Sequence, residues 1–205
     1  MNAPAKLSKG KRTAQRLLDV AEQLFAERGF GGTTLRDVAE AAGIREPGIY
    51  NHFANKEVLY CAVLERGLQP MADVMDALLA GSSSMQDIAG LPAMMTDLLA
   101  AHPAMPALFQ QALSQQSSDL AQALMDAWLD RLLSRGQRVI ESSVGEQADK
   151  RATVIQMVAM FNLCTGYFLS QRLLDRYQLG DVTASENLQQ QKKLLSRIVK
   201  MFLIG

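Results

Sequence analysis

Residues 29–60 read GFGGTTLRDVAEAAGIREPGIYNHFANKEVLY, and this stretch decides the fold. Thr34 can cap a short helix whose third position holds Asp37, which is a capping-box pattern. Gly43 ends this helix after about eight residues. Pro47 then stands in the first turn of a third short segment, where its missing N–H costs nothing. The stretch therefore predicts two short helices joined by a tight turn.

Longer helices are predicted on either side of this stretch. Before it, apolar residues recur at helical spacing over 13–28, and Gly29 is a natural residue to end that helix. After it, Asn55 can cap a fourth helix that begins at Lys56. Because proline lacks an N–H, Pro70 is expected to kink or interrupt this fourth helix.

Three positions indicate how the two short helices pack. Ala39 is small, Gly43 allows a sharp turn and Ile49 is apolar, which is what two steeply crossing helices need. A helix-turn-helix unit has this arrangement and places its second helix in the major groove of DNA. An αα-hairpin in an ordinary helical bundle is the alternative that this spacing leaves open.

The motif continues on both sides of these positions. Its further elements are Gly29-Phe30, residues 33–39, Ala42-Gly43-Ile44, residues 49–53 and residues 56–59. Over about residues 13–60 the sequence closely resembles the DNA-binding domain of the TetR/AcrR family of bacterial transcriptional regulators. A Tyr and a Phe around His52, followed by Lys-Glu and Leu at a fixed distance, make the resemblance specific. The sequence departs from the family at Arg45, where many members have Ser as cap of the recognition helix.

The resemblance implies an all-α protein with an N-terminal three-helix helix-turn-helix DNA-binding domain and a C-terminal helical ligand-binding and dimerisation domain. The predicted boundaries are a flexible basic arm at 1–12, the DNA-binding domain at 13–60, and the effector-binding and dimerisation domain at 61–205. Composition agrees with the all-α class, because 14 Gly and 6 Pro among 205 residues are too few for a many-stranded fold.

Basic residues concentrate at the start of a chain whose formal net charge is zero. Residues 1–16 contain Lys6, Lys9, Lys11, Arg12 and Arg16 and no acidic side chain. Such an arm can bind the phosphates of DNA. A solubilising tail is the alternative.

Four residues of the motif are predicted to contact phosphates. Thr34 presents a hydroxyl and free N–H groups at a helix start, although a simple capping role fits it equally. Tyr50 and His52 flank the apolar Phe53, so both can point outward and donate to phosphate oxygens. Lys56 adds a positive charge at the start of the next helix. For His52 an ordinary surface histidine is the alternative.

Four other side chains match the edges of bases in the major groove. Arg36 and Arg45 suit guanine, Asn51 suits adenine, and Glu46 suits the amino group of cytosine. Arg36 can instead pair with Glu40 four residues later. The complete set of predicted DNA-binding residues is Thr34, Arg36, Arg45, Glu46, Pro47, Gly48, Tyr50, Asn51, His52 and Lys56. Gly48 lets the backbone approach DNA closely but offers no side chain to read a base.

The sequence offers little for metal binding or catalysis. Cys61 and Cys164 have no Cys or His at metal-ligand spacing, and His52 and His102 are the only histidines. We therefore predict no metal site, no cofactor and no enzymatic activity; a helical enzyme or small-molecule carrier is the alternative from another class. The longest apolar run, 157–169, is too short to span a membrane, which predicts a soluble cytoplasmic protein.

Beyond the motif, long helices are predicted to form the remainder of the chain. They are placed at 85–101, 104–116, 118–143, 148–177 and 185–203, after a loop at 81–84. The helix at 148–177 is apolar on nearly every side, and the helix at 185–203 has apolar residues, among them Ile198 and Phe202, at helical spacing. The resemblance implies that these two helices form the interface of a homodimer, which would present two recognition helices to a near-palindromic double-stranded operator. A monomeric core is the alternative.

Ten of the eleven methionines lie after residue 70, and Met fills adaptable apolar cavities. The resemblance implies a pocket for a small apolar effector among these helices. Its predicted residues are Met94, Leu98, Met105, Phe109, Trp128, Phe161, Asn162 and Thr165. Core packing is the alternative for each methionine. The alternative to a small effector is a DNA-binding protein that is controlled by a protein partner or has no effector.

Overall fold

A computed structural model describes residues 8–80, 85–114, 118–144 and 150–204. Every regular element within these ranges is an α-helix, which confirms the all-α prediction. The helices are α1 (Lys9–Arg28), α2 (Leu35–Ala41), α3 (Glu46–Ile49), α4 (Lys56–Ala80), α5 (Met85–Ala101), α6 (Met105–Leu113), α7 (Asp119–Val144), α8 (Lys150–Phe168), α9 (Gln171–Arg176) and α10 (Ser185–Ile204). None of the described helices combines the length and apolar character that crossing a membrane requires.

The first helix begins earlier than the sequence pattern predicts. Ser8 is its N-cap, because the Ser8 hydroxyl accepts a hydrogen bond from the N–H of Lys11 at 3.3 Å. The prediction of a flexible arm is therefore wrong for the described residues 8–12, since Lys9, Lys11 and Arg12 are helical. The rest of the predicted arm, residues 1–7, lies outside the described residues.

The single helix predicted at 148–177 is also wrong, because α8 and α9 are separate helices. The N–H groups of Leu169 and Ser170 donate to carbonyls three residues back, at Gly166 and Tyr167, instead of four. The Ser170 hydroxyl also donates to the Gly166 carbonyl at 2.9 Å. The change from four-residue to three-residue hydrogen bonds marks the end of α8.

Proline does not interrupt the fourth helix. Pro70 lies inside α4, which continues through it to Ala80. The prediction of an interruption is therefore wrong, because the rest of the helix keeps its hydrogen bonds where one N–H is missing. The predicted loop at 81–84 lies outside the described residues.

The described residues form two compact units. Unit 1 comprises the residues up to Glu65 together with Leu108–Leu124, and unit 2 comprises Arg66–Ala107 together with the residues from Met125 onward. The predicted boundary after residue 60 lies inside α4.

An aromatic cluster occupies the core of unit 1. Phe25 is fully buried, and its ring meets the edge of Tyr60 with 4.8 Å between centroids. Phe30 lies against both rings, at 6.2 Å from Phe25 and 5.1 Å from Tyr60. Burial raises the pKa of Tyr60 to about 12. Val38 of α2 and Ile49 of α3 are fully buried as well, so the two short helices and α1 share one core.

Unit 1 also contains most of α6 and the start of α7. Leu108 and Phe109 of α6 are fully buried. Gln111 donates from Nε2 to the carbonyl of Ala26 at 3.2 Å, so a hydrogen bond joins α6 to α1. Side chains of α6 therefore contribute to the unit that contains the helix-turn-helix motif.

Unit 2 is a helical bundle in which α10 packs against α5 and α8, and α5 packs against α8. Leu99 of α5 and Leu195 of α10 are buried in this packing. Gln191 of α10 donates to the carbonyl of Leu163 at 2.9 Å, which joins α10 to α8. An ion pair between Lys192 and Asp97 adds a link between α10 and α5.

Candidate nucleic-acid interface

The turn between α1 and α2 is held from inside the protein. Gly29 has a φ of 73°, a left-handed conformation that glycine adopts without a steric penalty. Thr33 is fully buried, and its hydroxyl lies 3.1 Å from the Leu24 carbonyl and 3.0 Å from the Gly29 carbonyl. These contacts fix the point from which α2 begins.

The capping box predicted for α2 is confirmed. The Thr34 hydroxyl accepts from the N–H of Asp37 at 3.1 Å, and the Asp37 carboxylate accepts from the N–H of Thr34 at 2.9 Å. The Thr34 hydroxyl also donates to the same carboxylate at 2.6 Å. This hydrogen bond is the main cause of a lowered pKa at Asp37, so the carboxylate is held in its charged form.

We expect Thr34→Ala to destabilise the protein by about 1 kcal/mol, the usual cost of losing an N-cap. Because the Asp37 pKa is lowered in the folded state, its contribution is present at neutral pH and is lost as the pH falls below the ordinary carboxyl pKa of 3.8. Denaturant unfolding at pH 7 and at acidic pH measures both effects. Thr34→Ser retains the cap and is the control, so an equal loss in Thr34→Ser would contradict this role.

The turn between α2 and α3 places the recognition segment. The N–H of Ile44 donates to the Ala39 carbonyl at 2.9 Å, and Gly43 between them has a φ of 67°. Ile49 is fully buried and Phe53 nearly so, which holds one side of the segment against the core. The opposite side of residues 45–52 therefore faces solvent.

Most of the predicted base-contacting and phosphate-contacting residues lie on this exposed side. Tyr50 is 53% exposed, which leaves its hydroxyl accessible to a phosphate. The other exposed members of the predicted set are Thr34, Arg36, Arg45, Glu46, Pro47 and Asn51, and Gly48 and His52 are half-buried. In the part of the chain that the structure describes, no ion pair joins Arg36 to Glu40, which leaves the Arg36 guanidinium accessible.

Packing inside the protein does not require glycine at position 48. A Cβ added to Gly48 would lie 3.7 Å from Cδ1 of Ile44, which is ordinary van der Waals contact. The missing side chain instead leaves the backbone of the recognition segment open on its outer side.

Lys56 differs from the other predicted DNA contacts because it has partners within the protein. Its Nζ donates to the Phe30 carbonyl at 2.8 Å and lies 4.3 Å from the centroid of the Phe30 ring. Asn55 is the cap predicted for the same helix, and its side chain accepts from the N–H of Val58 at 2.8 Å, which confirms that prediction.

The sequence pattern does not indicate the roles of two residues that shape this interface, Thr33 and Phe30. Thr33 stands beside the cap residue Thr34, and only its burial shows that its hydroxyl points inward. Phe30 belongs to the motif, but nothing local in the sequence indicates that its carbonyl accepts a hydrogen bond from the Lys56 ammonium.

The predicted effector-binding residues do not form one uniform group. Met105, Phe109, Trp128 and Thr165 are buried, Leu98 and Phe161 are half-buried, and Met94 and Asn162 are exposed. Phe109 belongs to unit 1, whereas the other residues belong to unit 2. Within unit 2, the rings of Trp128 and Phe161 lie side by side with 6.0 Å between centroids and their planes tilted by 54°.

Two of the predicted residues, Asn162 and Thr165, have hydrogen-bond partners within α8 and need none from a ligand. Asn162 donates from Nδ2 to the Val158 carbonyl at 2.8 Å, and Thr165 donates to the Phe161 carbonyl at 2.9 Å. Residues three and four positions apart lie next to each other on a helix, so each carbonyl is within reach of the side chain that follows it.

Both α8 and α10 expose large apolar side chains. On α8, Ile155 is 61% exposed and Val158 is 50% exposed. On α10, Leu194 is 50% exposed and Met201 is 63% exposed. The sequence pattern predicted Ile198 and Phe202 for the dimer interface. Ile198 is half-buried, and the Phe202 side chain is not among those that the structure describes. The apolar residues of α10 that recur at helical spacing, such as Leu195 and Val199, are buried where α10 packs on α5 and α8. The exposed apolar residues Leu194 and Met201 therefore lie on a different side of α10 from the one that the sequence pattern predicted for the dimer interface.

The helix-turn-helix segment matches a known family model. The model describes bacterial regulatory proteins of the tetR family, and it matches residues 17–63. The chain is 51% identical over 55 residues to the transcriptional repressor KstR2 of Rhodococcus jostii. That match covers 27% of this chain and 26% of KstR2, so it is confined to a quarter of each protein.

Other comparisons extend over nearly the whole chain. The transcriptional regulator YvkB of Bacillus subtilis is 24% identical over 202 residues, covering 94% of this chain and 96% of YvkB. The structure of ketosteroid transcriptional regulator KstR2 from Mycobacterium tuberculosis has a TM-score of 0.74 at 18% identity and covers 98% of both chains. The fatty acid degradation regulator FadR from Bacillus halodurans has a TM-score of 0.69 at 20% identity, covering 93% of this chain and 98% of FadR. These structures share the TetR fold with this chain.

Proposed function

We propose that this chain is a homodimeric repressor that binds a near-palindromic double-stranded DNA operator and is released from it by an apolar small molecule. The exposed polar side of the recognition segment carries this proposal. That side presents Tyr50, Asn51 and Arg45 to solvent, while Ile49 and Phe53 hold the opposite side in the core. The proposed domains are the DNA-binding part before residue 61 and the helical remainder.

The charge at the start of α1 supports contact with phosphates. Lys9, Lys11 and Arg12 are exposed, and the first turn of α1 contains no acidic residue. Basic side chains at a helix N-terminus are unfavourable, because the helix dipole is already positive there. A bound phosphate would relieve this repulsion, which is the physical reason to place the start of α1 against DNA.

Selection of bound sites from random double-stranded DNA tests the proposed DNA binding. We expect Asn51→Ala to relax the preference at one base pair of each half-site, at a cost of about 1–3 kcal/mol, because its amide reads a base edge. Tyr50→Phe should weaken binding to all sequences alike, because phosphate contacts position the protein without specifying sequence. An altered consensus with Tyr50→Phe, or an unaltered one with Asn51→Ala, would contradict these assignments.

The effector is proposed to bind in unit 2, next to Trp128 and Phe161. These two neighbouring rings provide aromatic surface, and Leu98 is half-buried and apolar. A ligand that gains little from Asn162 and Thr165 must bind mainly through apolar contact, because both side chains bond within α8. The names of two similar structures refer to ketosteroids and to the degradation of fatty acids. Ketosteroids and fatty acids are both bulky, largely apolar compounds.

Titration with a long-chain fatty acid and with a steroid ketone tests this site. Trp128 is the chain's only tryptophan, so its fluorescence reports binding nearby. We expect Phe161→Ala to weaken binding and the exposed Asn162→Ala to leave it unchanged. Operator should lower ligand affinity by the same factor by which ligand lowers operator affinity, typically about 5–150-fold. If operator leaves ligand affinity unchanged, control by a protein partner takes the place of the small effector.

A further inference from the structure

We propose that Lys56 is a positioning residue of the helix-turn-helix unit and not a phosphate contact. Its ammonium joins the turn that precedes α2 to the first residue of α4, which follows α3. The inference rests on the proposed DNA-binding function, because it concerns how the helices that meet DNA are held.

Two contacts direct the Lys56 ammonium toward Phe30. One is the hydrogen bond from Nζ to the Phe30 carbonyl at 2.8 Å, in which a charged donor makes a stronger bond than a neutral one. The other is the ring of Phe30, whose centroid lies 4.3 Å from Nζ and whose face attracts a cation. The Lys56 side chain is half-buried, so solvent weakens these contacts only in part.

The position of this contact along the chain makes it a clamp on the whole motif. Phe30 and Lys56 are 26 residues apart, and α2 and α3 both lie between them. Contacts within the motif, such as the capping box at Thr34, hold each helix end locally. The Lys56 contact instead closes the motif from end to end, and it fixes where α2 and the recognition segment stand relative to α4.

The turn before α2 has few other side chains that can hold it. Gly29, Gly31 and Gly32 account for three of its residues, and glycine loses more backbone freedom on ordering than any other residue. Gly32 lies so close to α1 that an added Cβ would stand 2.3 Å from the Arg28 carbonyl oxygen. The placement of this turn therefore depends on three contacts: the Phe30 ring packs against Phe25 and Tyr60, the Thr33 hydroxyl bonds to α1, and the Lys56 ammonium bonds to the Phe30 carbonyl.

Lys56→Met tests the clamp, because it keeps the unbranched stem and removes the ammonium. Under conditions where the variant is folded, we expect the operator Kd to rise about tenfold, the effect of one charge-assisted hydrogen bond. The slope of log affinity against log salt should stay at the wild-type value. Hydrogen–deuterium exchange in the free protein should become faster in peptides that cover residues 29–34. Lys56→Arg, which retains a charged donor, should recover most of the lost affinity.

Lys11→Met is the matched control, because Lys11 is exposed near the start of α1. It should lower the salt slope by about 0.9, the effect of one lost phosphate contact, without faster exchange at 29–34. The same slope change in Lys56→Met, or an unchanged Kd in the folded variant, would overturn the clamp. If Lys56→Met does not fold, the test passes to Lys56→Gln, which keeps a polar side chain and removes the charge: the clamp requires a raised Kd with an unchanged slope, and a wild-type Kd would overturn it. Failure of the wild-type protein to bind any DNA would count against the proposed function, while the exchange measurement still reports on the clamp.

Discussion

Replacing Ile155 by glutamate is expected to convert the proposed homodimer into a monomer at micromolar concentration. Ile155 is 61% exposed on α8, beside the exposed Val158, and α10 adds Leu194 and Met201. Burying each such side chain against a second copy contributes about 1.5–3 kcal/mol at most, and a glutamate there would leave an unpaired charge in the interface. Because a dimer binds both half-sites of an operator at once, operator affinity should fall by about 10²–10⁴-fold.

Sedimentation velocity, together with anisotropy titrations on a full operator and on a half-site, measures this effect. Leu194→Glu should behave in the same way from α10, since Leu194 is 50% exposed. Gln189→Glu is the control, because it adds the same charge at an exposed polar position of the same helix. If Ile155→Glu and Leu194→Glu both remain dimeric, the interface lies elsewhere on the chain.

Replacing Phe25 by alanine is expected to remove operator binding by unfolding the core of unit 1. The Phe25 ring is fully buried and contacts the rings of Phe30 and Tyr60. Large-to-small changes of this kind cost about 3–5 kcal/mol, which is a large part of the stability of an ordinary domain. This loss of stability includes the favourable free energy of burying the ring, which alanine lacks, and the cost of the cavity that remains.

Denaturant unfolding followed by circular dichroism, with operator titrations in parallel, measures this loss. Phe25→Leu keeps much of the apolar volume and should cost distinctly less. Gln23→Ala, at an exposed position of the same helix, should leave both stability and binding near the wild-type values. A loss in Phe25→Ala no greater than in Gln23→Ala would show that the aromatic cluster does not support the motif.

The helix ends of the DNA-binding motif could be predicted from sequence because they depend on residues close together in the chain. The Thr34–Asp37 capping box and the Asn55 cap each join residues three positions apart. The glycine after α1 and the glycine after α2 both have positive φ. The Ser8 cap obeys the same local rule, and the signal was present, but the basic composition around it favoured an arm over a helix.

The sequence by itself determined the all-α class and the helix-turn-helix motif, because helical periodicity, caps and motif spacing are properties of short stretches. Only the tertiary structure decided which partner each side chain has. The Lys56 ammonium meets a carbonyl 26 residues away, and no local pattern specifies that distance in space. Likewise, α10 has two apolar sides, and only its packing on α5 and α8 shows that Leu195 is buried while Leu194 is exposed. Burial depends on what the rest of the chain covers, and a helical pattern alone states only which residues share a side.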